Sequence, residues 1–490
     1  MEIQCPLVTG EGDVDPRPAT VGARPQSSDP ADFEIAQSAE LLADGSLSSS
    51  ELTEACLSRI EARDGAHSHD GDAASINAWV RVYADDARAA ALAADQRLSR
   101  RRARDLGPAP TLCGVPIGLL DLIAAAGKPL TASSRVLDDA PRADGELWAR
   151  LSAAGMVLLG HLHTHEFGAG TTCDQVGNPW SLERSAGGSS GGPAAALAAR
   201  MVPAAVGCDT FGSLRIPSAF CATSGLKPTR GVLSIEGVVP LCPTFDHAGP
   251  MARTVADCAL LFQAMNGRTD AGPLPELPLA GLRIGRSPRA ADANLDIDVL
   301  ETFESAVETC SALGATVVPV KAPTPMDVLD DYFNLFGEDV LAYHRQFVKL
   351  RDLYRPSVRE LLEQSEHDPI GPGEAALAQA RRREGLRAWR DWFVAEGVFA
   401  LLEPTAGVVA PIRGAGYAHF GTQLRLASLT YYWNWIGFPV VSLPAGVGAR
   451  SHLPVGVSLI GPTGADLELL RAGITLQGAL GVPVPSRFPG

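Results

Sequence analysis

Residues 185–231 read SAGGSSGGPAAALAARMVPAAVGCDTFGSLRIPSAFCATSGLKPTRG. Two serine sites, GGSSGG at residues 187–192 and FGS at residues 211–213, lie about two dozen residues apart and are joined by small apolar residues. Glycine lets the backbone take positive φ and leaves neighbouring N–H groups open to a ligand. A serine among such groups can attack a carbonyl carbon while they hold the oxyanion that results. The segment AAALAARMVPAAVG is apolar and helix-forming, which argues against a flexible linker. The pattern G-x-x-x-x-G-K-[ST] is absent, which argues against a phosphate-cradling loop.

Outward from this stretch, helical and strand patterns alternate. FEIAQSAELLAD (residues 33–44) predicts a helix stopped by Gly45, and a second helix opens on Ser48 with Glu51 three residues on, a capping box. Leu52, Cys56 and Ile60 recur at helical spacing and are expected to face the core. Residues 84–103 predict a third helix with a basic end. CGVPIGLLDLIAAAG (residues 113–127) predicts a strand running into a turn, and GMVLLGHLHT (residues 155–164) another strand. Helices are further predicted over residues 252–267, 297–314 and 466–480, with strands at LRIGRS, ATVVPVKA, GVVAP and FPVVSLPAG. Strands interleaved with helices imply an α/β fold.

Residues 185–231 closely resemble the signature of the amidase signature family. The resemblance extends to GVPIG at residues 114–118, GHLHTHEFGAG at 160–170, GNPWSLERSAGGSS at 177–190 and FDHAGPMARTVADCALL at 245–261. GFPVVSLPAG, PVGVSLIGP and DLELLRAG near the C-terminus add to it, so it covers roughly residues 33 to 480. It implies one large domain over residues 33–490 with a mixed, twisted central sheet covered by helices on both faces. Residues 1–32, rich in Pro, Asp, Ser and Gly, are expected to form a mobile leader. A variable, mostly helical region is expected at about residues 325–420. Its Tyr332, Phe333, Phe336, Tyr343 and Trp389 are equally suited to pocket walls and to core.

The family implies hydrolysis or transfer of acyl groups by a Ser–cisSer–Lys triad. Carried over by motif, Ser213 is the nucleophile and Ser189 the bridging serine. The N–H groups of Thr210, Phe211, Gly212 and Ser213 would form the oxyanion hole, braced by Asp209, Arg215 and Ser190. The lysine motif, of the form G-[IV]-P-[IV]-G-V-K-D, here reads Gly114 to Asp121 with Leu120 at the lysine position. A desolvated, neutral lysine accepts the proton that the nucleophile loses, which leucine cannot do. Amides suffer most, because an amine leaves poorly unless protonated, whereas esters and thioesters suffer less. Phe211 stands where relatives have glycine and is expected to crowd the acyl pocket or reshape its loop. Ser133 also stands where relatives often have glycine.

Only Lys128, Lys227, Lys321 and Lys349 are present, and none is expected to substitute. Histidine is the better candidate. His161, His163 and His165 alternate, which on an extended segment would place three imidazoles on one face. His163 or His165 could lie near Ser213 as a base. The pattern would also suit a metal, though polar or structural histidines are the favoured reading and no metal or cofactor is expected.

The formal net charge of −15 gives no electrostatic reason to bind nucleic acid or an anionic membrane. Nine scattered cysteines, none in a C-x-x-C pair, and an N-terminus without a long apolar run fit a cytoplasmic protein. The expected partner is a small-molecule substrate, with a homodimer possible by analogy. The leading functional reading is an acyl-transfer enzyme with altered proton traffic. An inactive chain kept for binding or as a partner of another protein is a close alternative, and non-hydrolytic chemistry in the inherited pocket a more distant one.

Overall fold

Four strands, Pro116–Leu120, Ala204–Asp209, His247–Ala252 and Pro454–Ile460, are buried along their whole length. Strands of this kind need cover on both faces, and they form the middle of an 11-stranded sheet. Its order is Trp79–Val82, Val157–Leu162, Pro116–Leu120, Ala204–Asp209, His247–Ala252, Ser224–Lys227, Val440–Val447, Pro454–Ile460, Ala400–Pro404, Arg283–Arg286 and Thr316–Pro319. Pro116–Leu120 runs parallel to both neighbours, and Arg283–Arg286 to both of its own. The other pairings are antiparallel, so the sheet is mixed. Helices flank both faces, as the sequence predicts. This computed structural model describes residues 29–486 apart from residues 105, 106, 108, 293, 368, 369 and 415–420.

Local signals in the sequence act where expected. The Ser48 hydroxyl accepts from the Glu51 N–H at 3.1 Å, and the Glu51 carboxylate accepts from the Ser48 N–H at 2.8 Å. The helix Ser49–Arg63 that this box opens buries Leu52, Cys56 and Ile60. The eight described cysteines are free and buried, and no described helix is long and apolar enough to cross a membrane.

Four expectations change. Residues 1–28 of the leader lie outside the described residues, but Asp29 and Asp32 already bind Arg59, so fixed structure starts earlier than Phe33. GVVAP is not a strand: the strand is Ala400–Pro404 just upstream, while the Val409 N–H turns to the Asp296 carboxylate. The small-residue run after GGSSGG divides into a helix, Gly191–Ala198, and the strand Ala204–Asp209. The histidine strand ends at Leu162, because the His163 N–H crosses to the Ala78 carbonyl and the His165 N–H to the Ser189 carbonyl. Alternation therefore stops before the second and third rings.

Candidate active site

Sheet register fixes which side chains share the site. Leu119 pairs with Val206, Gly207 with Gly249, and Asp209 with His247. Side chains of paired residues lie on one face and repeat every second residue. Leu120, Gly207, Asp209 and His247 therefore share a face. A Cβ on Gly207 would come within 2.9 Å of the Ser190 hydroxyl, so this is the face on which GGSSGG rests.

The two serine sites meet there. The Ser190 N–H donates to the Ser213 carbonyl at 3.0 Å. The Ser190 hydroxyl donates to the Cys208 carbonyl at 3.1 Å and accepts from the Cys208 N–H at 3.2 Å. The Gly188–Ser189 peptide bond is cis. Ser189, Ser190 and Ser213 are all buried. Ser213 lines an apolar cavity with residues 168–171, Phe211, Leu241, Phe333 and Phe336. Ser189 lines an adjoining one with Leu122, Cys208, Thr210, Asp246 and His247, and Gly168 and Leu241 belong to both.

The loop that carries Ser213 is held by a buried ion pair. Arg215 donates to both Asp209 oxygens, at 2.8 and 3.0 Å, and the two side chains are fully enclosed. Burial by itself would raise the Asp209 pKa, but Arg215, together with Asn434, holds it well below the usual carboxylate range. Asn434 donates to both the carboxylate and the carbonyl of Asp209, and it accepts from Arg215 at 2.6 Å. The Thr430 hydroxyl donates to the Phe211 carbonyl at 2.7 Å, and Tyr332 donates to the Thr210 carbonyl at 2.6 Å. The Thr210 hydroxyl donates to Asp246, whose carboxyl burial pushes up to about 6. Motif reading found Asp209 and Arg215 but missed Asn434, Thr430, Tyr332 and Asp246, whose partners are remote in sequence or unremarkable in type.

The proposed oxyanion donors need one correction. The Gly212 N–H donates to Asp209 Oδ1 at 2.9 Å, which removes it from that set. The N–H groups of Thr210, Phe211 and Ser213 take no acceptor outside the regular strand and helix pairings among the described residues. Gly212 has φ of +121°, and a Cβ there would lie 2.1 Å from the Thr430 hydroxyl. Gly212→Ala is therefore expected to shift the loop and to destabilise the fold by about 1–3 kcal/mol. Denaturant melts should show the loss of stability, and slower reaction of Ser213 with a phosphonate should show the loop shift.

Residue 120 is a leucine, and its side chain is fully buried. Lys128 is bound to Asp86 with its amine over the Tyr83 ring, and Lys227 donates to the Pro228 carbonyl at 3.1 Å. Lys321 and Lys349 are exposed. The histidines do not converge. His161 contacts the Tyr83 hydroxyl and the Ile123 carbonyl. His163 Nδ1 lies 3.1 Å from the Ser133 hydroxyl, and His165 Nδ1 donates to the Thr172 carbonyl at 2.8 Å. Burial pushes His163 and His165 down to about 3, and neither lines the cavity of Ser189 or Ser213. Among the described residues no group of three or more His, Cys, Asp or Glu is placed to hold a metal ion. Ser133 has φ of +48°, the backbone region that favours glycine.

Phe211 walls the cavity and leaves it narrow, about 20 Å³ of free space beside Ser213, as the expected crowding implies. Its ring stacks on Tyr431 at 5.5 Å and meets Tyr332 edge-on at 5.0 Å. Phe333 and Phe336 supply the opposing walls, while Tyr343 packs against Phe167 and Trp389 donates to the Tyr432 hydroxyl.

The sequence pattern of the family described as Amidase matches residues 51–470. The chain belongs to the amidase signature family. Among curated members, the A-type component of the glutamyl-tRNA(Gln) amidotransferase of Anaeromyxobacter dehalogenans (strain 2CP-C) is 35% identical over 483 residues, covering 90% of this chain and 94% of its own. A crystal structure of an amidase superposes with a TM-score of 0.80 at 28% identity, covering 92% of this chain and all of that one. The structure of 6-aminohexanoate cyclic dimer hydrolase gives 0.79 at 26% identity, covering 94% of this chain and all of its own. The chain is thus an amidase-family protein over nearly its whole length.

Proposed function

We propose that this amidase signature protein cleaves or transfers a compact apolar acyl group through Ser213, and that it favours an activated acyl donor over an ordinary amide. The observation that carries this reading is the cavity on Ser213, walled by Phe211, Leu241, Phe333 and Phe336 with no charged side chain in its lining. An apolar wall gains about 25 cal/mol for each Å² of apolar substrate surface it takes from water. It leaves the charged end of an amino acid unsatisfied. The preference for an activated donor follows from Leu120, since a leaving group that needs no proton is least affected by the absence of an amine there.

The arrangement supports one chemical sequence. The Ser213 hydroxyl attacks the acyl carbon, and the N–H groups of Thr210, Phe211 and Ser213 receive the charge that develops on oxygen. The leaving group departs to give a serine ester, which water or another acceptor then cleaves. The Asp209–Arg215–Asn434 cluster touches none of the reacting atoms; it holds the loop that carries them.

A fluorophosphonate bearing a small apolar group tests the reading. The folded protein is expected to label at one residue, Ser213, and Ser213→Ala is expected to lose both the label and esterase turnover. A folded, unlabelled protein would instead mark a chain kept for binding alone.

A further inference from the structure

We propose that His247 takes the proton from Ser189, replacing the amine that Leu120 cannot provide; this rests on Ser213 being the nucleophile. His247 lies on the same sheet face as Leu120, and it lines the same cavity as Ser189. Its Nδ1 is 2.7 Å from the Phe245 carbonyl, which can only accept, so the ring proton sits on Nδ1. Nε2 is left as an unprotonated acceptor, buried and without a partner among the described residues. Because Nε2 has no such partner, it does not touch Ser189 directly; the cavity they share, about 10 Å³, has room for about one water to link them, which is the reach a proton acceptor requires.

The competing groups are otherwise engaged. Asp246 lines the same cavity, but its oxygens accept from the Thr210 hydroxyl and from the N–H groups of Leu241 and Cys242. His163 also leaves Nε2 unpartnered, but it lines neither cavity, and the charged groups acting on it are His69, Arg355 and His67 on other loops. Lys227 on the neighbouring strand is also buried, which holds its amine well below its ordinary range, but it points to the Pro228 carbonyl and lines neither cavity.

The step balances. As the Ser213 oxygen bonds to the acyl carbon, its proton passes to the Ser189 oxygen, the Ser189 proton passes to a water in the shared cavity, and that water gives a proton to His247 Nε2, forming an imidazolium. When the bond to the leaving group breaks, the proton returns by the same path to the leaving group or to solvent. Water then repeats the path to release the acid and restore Ser213.

The surroundings set how strong this base is. Burial, then Lys227 and Arg230, hold His247 well below its ordinary range, while Asp209 opposes them. Asp246, raised toward neutrality by its own burial, is the remaining acid of the cavity. The ring is therefore a weaker base than a free imidazole. A weak base suffices for a good leaving group and fails for an amine, in line with an activated acyl donor.

The test is a double-mutant cycle. His247→Ala in the wild-type background is expected to lower kcat/KM for an activated ester by about 10²–10⁴-fold with little change in KM. Added imidazole should restore part of it. In a Leu120→Lys background the same substitution should cost far less, because the amine takes over. An equal loss in both backgrounds, without imidazole rescue, would mean that His247 is only structural. His247→Gln provides a fuller side chain if the alanine variant does not fold. The intact protein gives an independent check: ¹⁵N shifts of the His247 ring should report a proton on Nδ1 alone, and a proton on Nε2 would overturn the proposal. If wild type labels at Ser213 while His247→Ala turns over normally, the relay fails and the nucleophile stands. If wild type does not label, both fail.

Discussion

Leu120→Lys is expected to raise kcat/KM for a small apolar amide by about 10²–10⁴-fold, the range that general acid–base assistance supplies. Leu120 is fully buried, at the end of a strand whose side chains share a face with Gly207 and His247. An ε-amine introduced there would be desolvated, which lowers its pKa and keeps it neutral enough to accept a proton. Esters should gain much less, so the ratio of amide to ester turnover is the quantity to measure. Leu120→Met tests for a packing effect and should leave that ratio unchanged. The gain must vanish when Ser213→Ala is added. A folded Leu120→Lys protein with no gain would mean that the oxyanion donors or the serine pair are themselves out of place.

Arg215→Leu should produce the largest loss of stability, about 3–5 kcal/mol, because it strands a buried carboxylate without its ion-pair partner. Asp209 then keeps only Asn434 and the N–H groups of Gly212 and Leu214. Asp209→Asn with Arg215→Leu removes both charges and should recover part of the loss, which equilibrium denaturation would measure. The pH dependence follows from the sign of the shift. A carboxylate held below its unfolded value adds stability that is complete above the unfolded value, declines as pH drops below it, and is gone below the folded value. The Asp209 contribution should therefore be complete at neutral pH, begin to decline within the ordinary carboxylate range, and vanish well below it. In Arg215→Leu, stability should begin to change at distinctly higher pH.

Much of this protein is readable in the chain because the decisive features are local. The capping box at Ser48 and Glu51, the buried spacing of Leu52, Cys56 and Ile60, and the serine loops all act within a few residues of themselves. What could not be read is what those loops touch. Asn434, Thr430 and Tyr332 reach the nucleophile loop from more than a hundred residues away, and no spacing rule connects them. The fate of the Gly212 N–H depended on where the Asp209 carboxylate turned, which is a matter of packing. The three alternating histidines drew notice because their pattern is conspicuous, but the strand beneath two of them ends at Leu162. His247 sits in the matched stretch FDHAGPMARTVADCALL, but nothing there sets its ring apart, and only the pairing of its strand with Ala204–Asp209 places it over the same cavity as Ser189.

The braces from Thr430 and Asn434 also bear on the order in which the working molecule comes into being. Ser213 leaves the ribosome more than two hundred residues before either of them. Until that late segment emerges, the Phe211 carbonyl and the Asp209 carboxylate lack those two supports, and a growing chain carries its hydroxyl in a loop still incompletely held. A polypeptide interrupted between residues 214 and 429 would contain Ser189, Ser190 and Ser213 and still lack both braces, so the reactivity proposed for Ser213 should require the chain through residue 434.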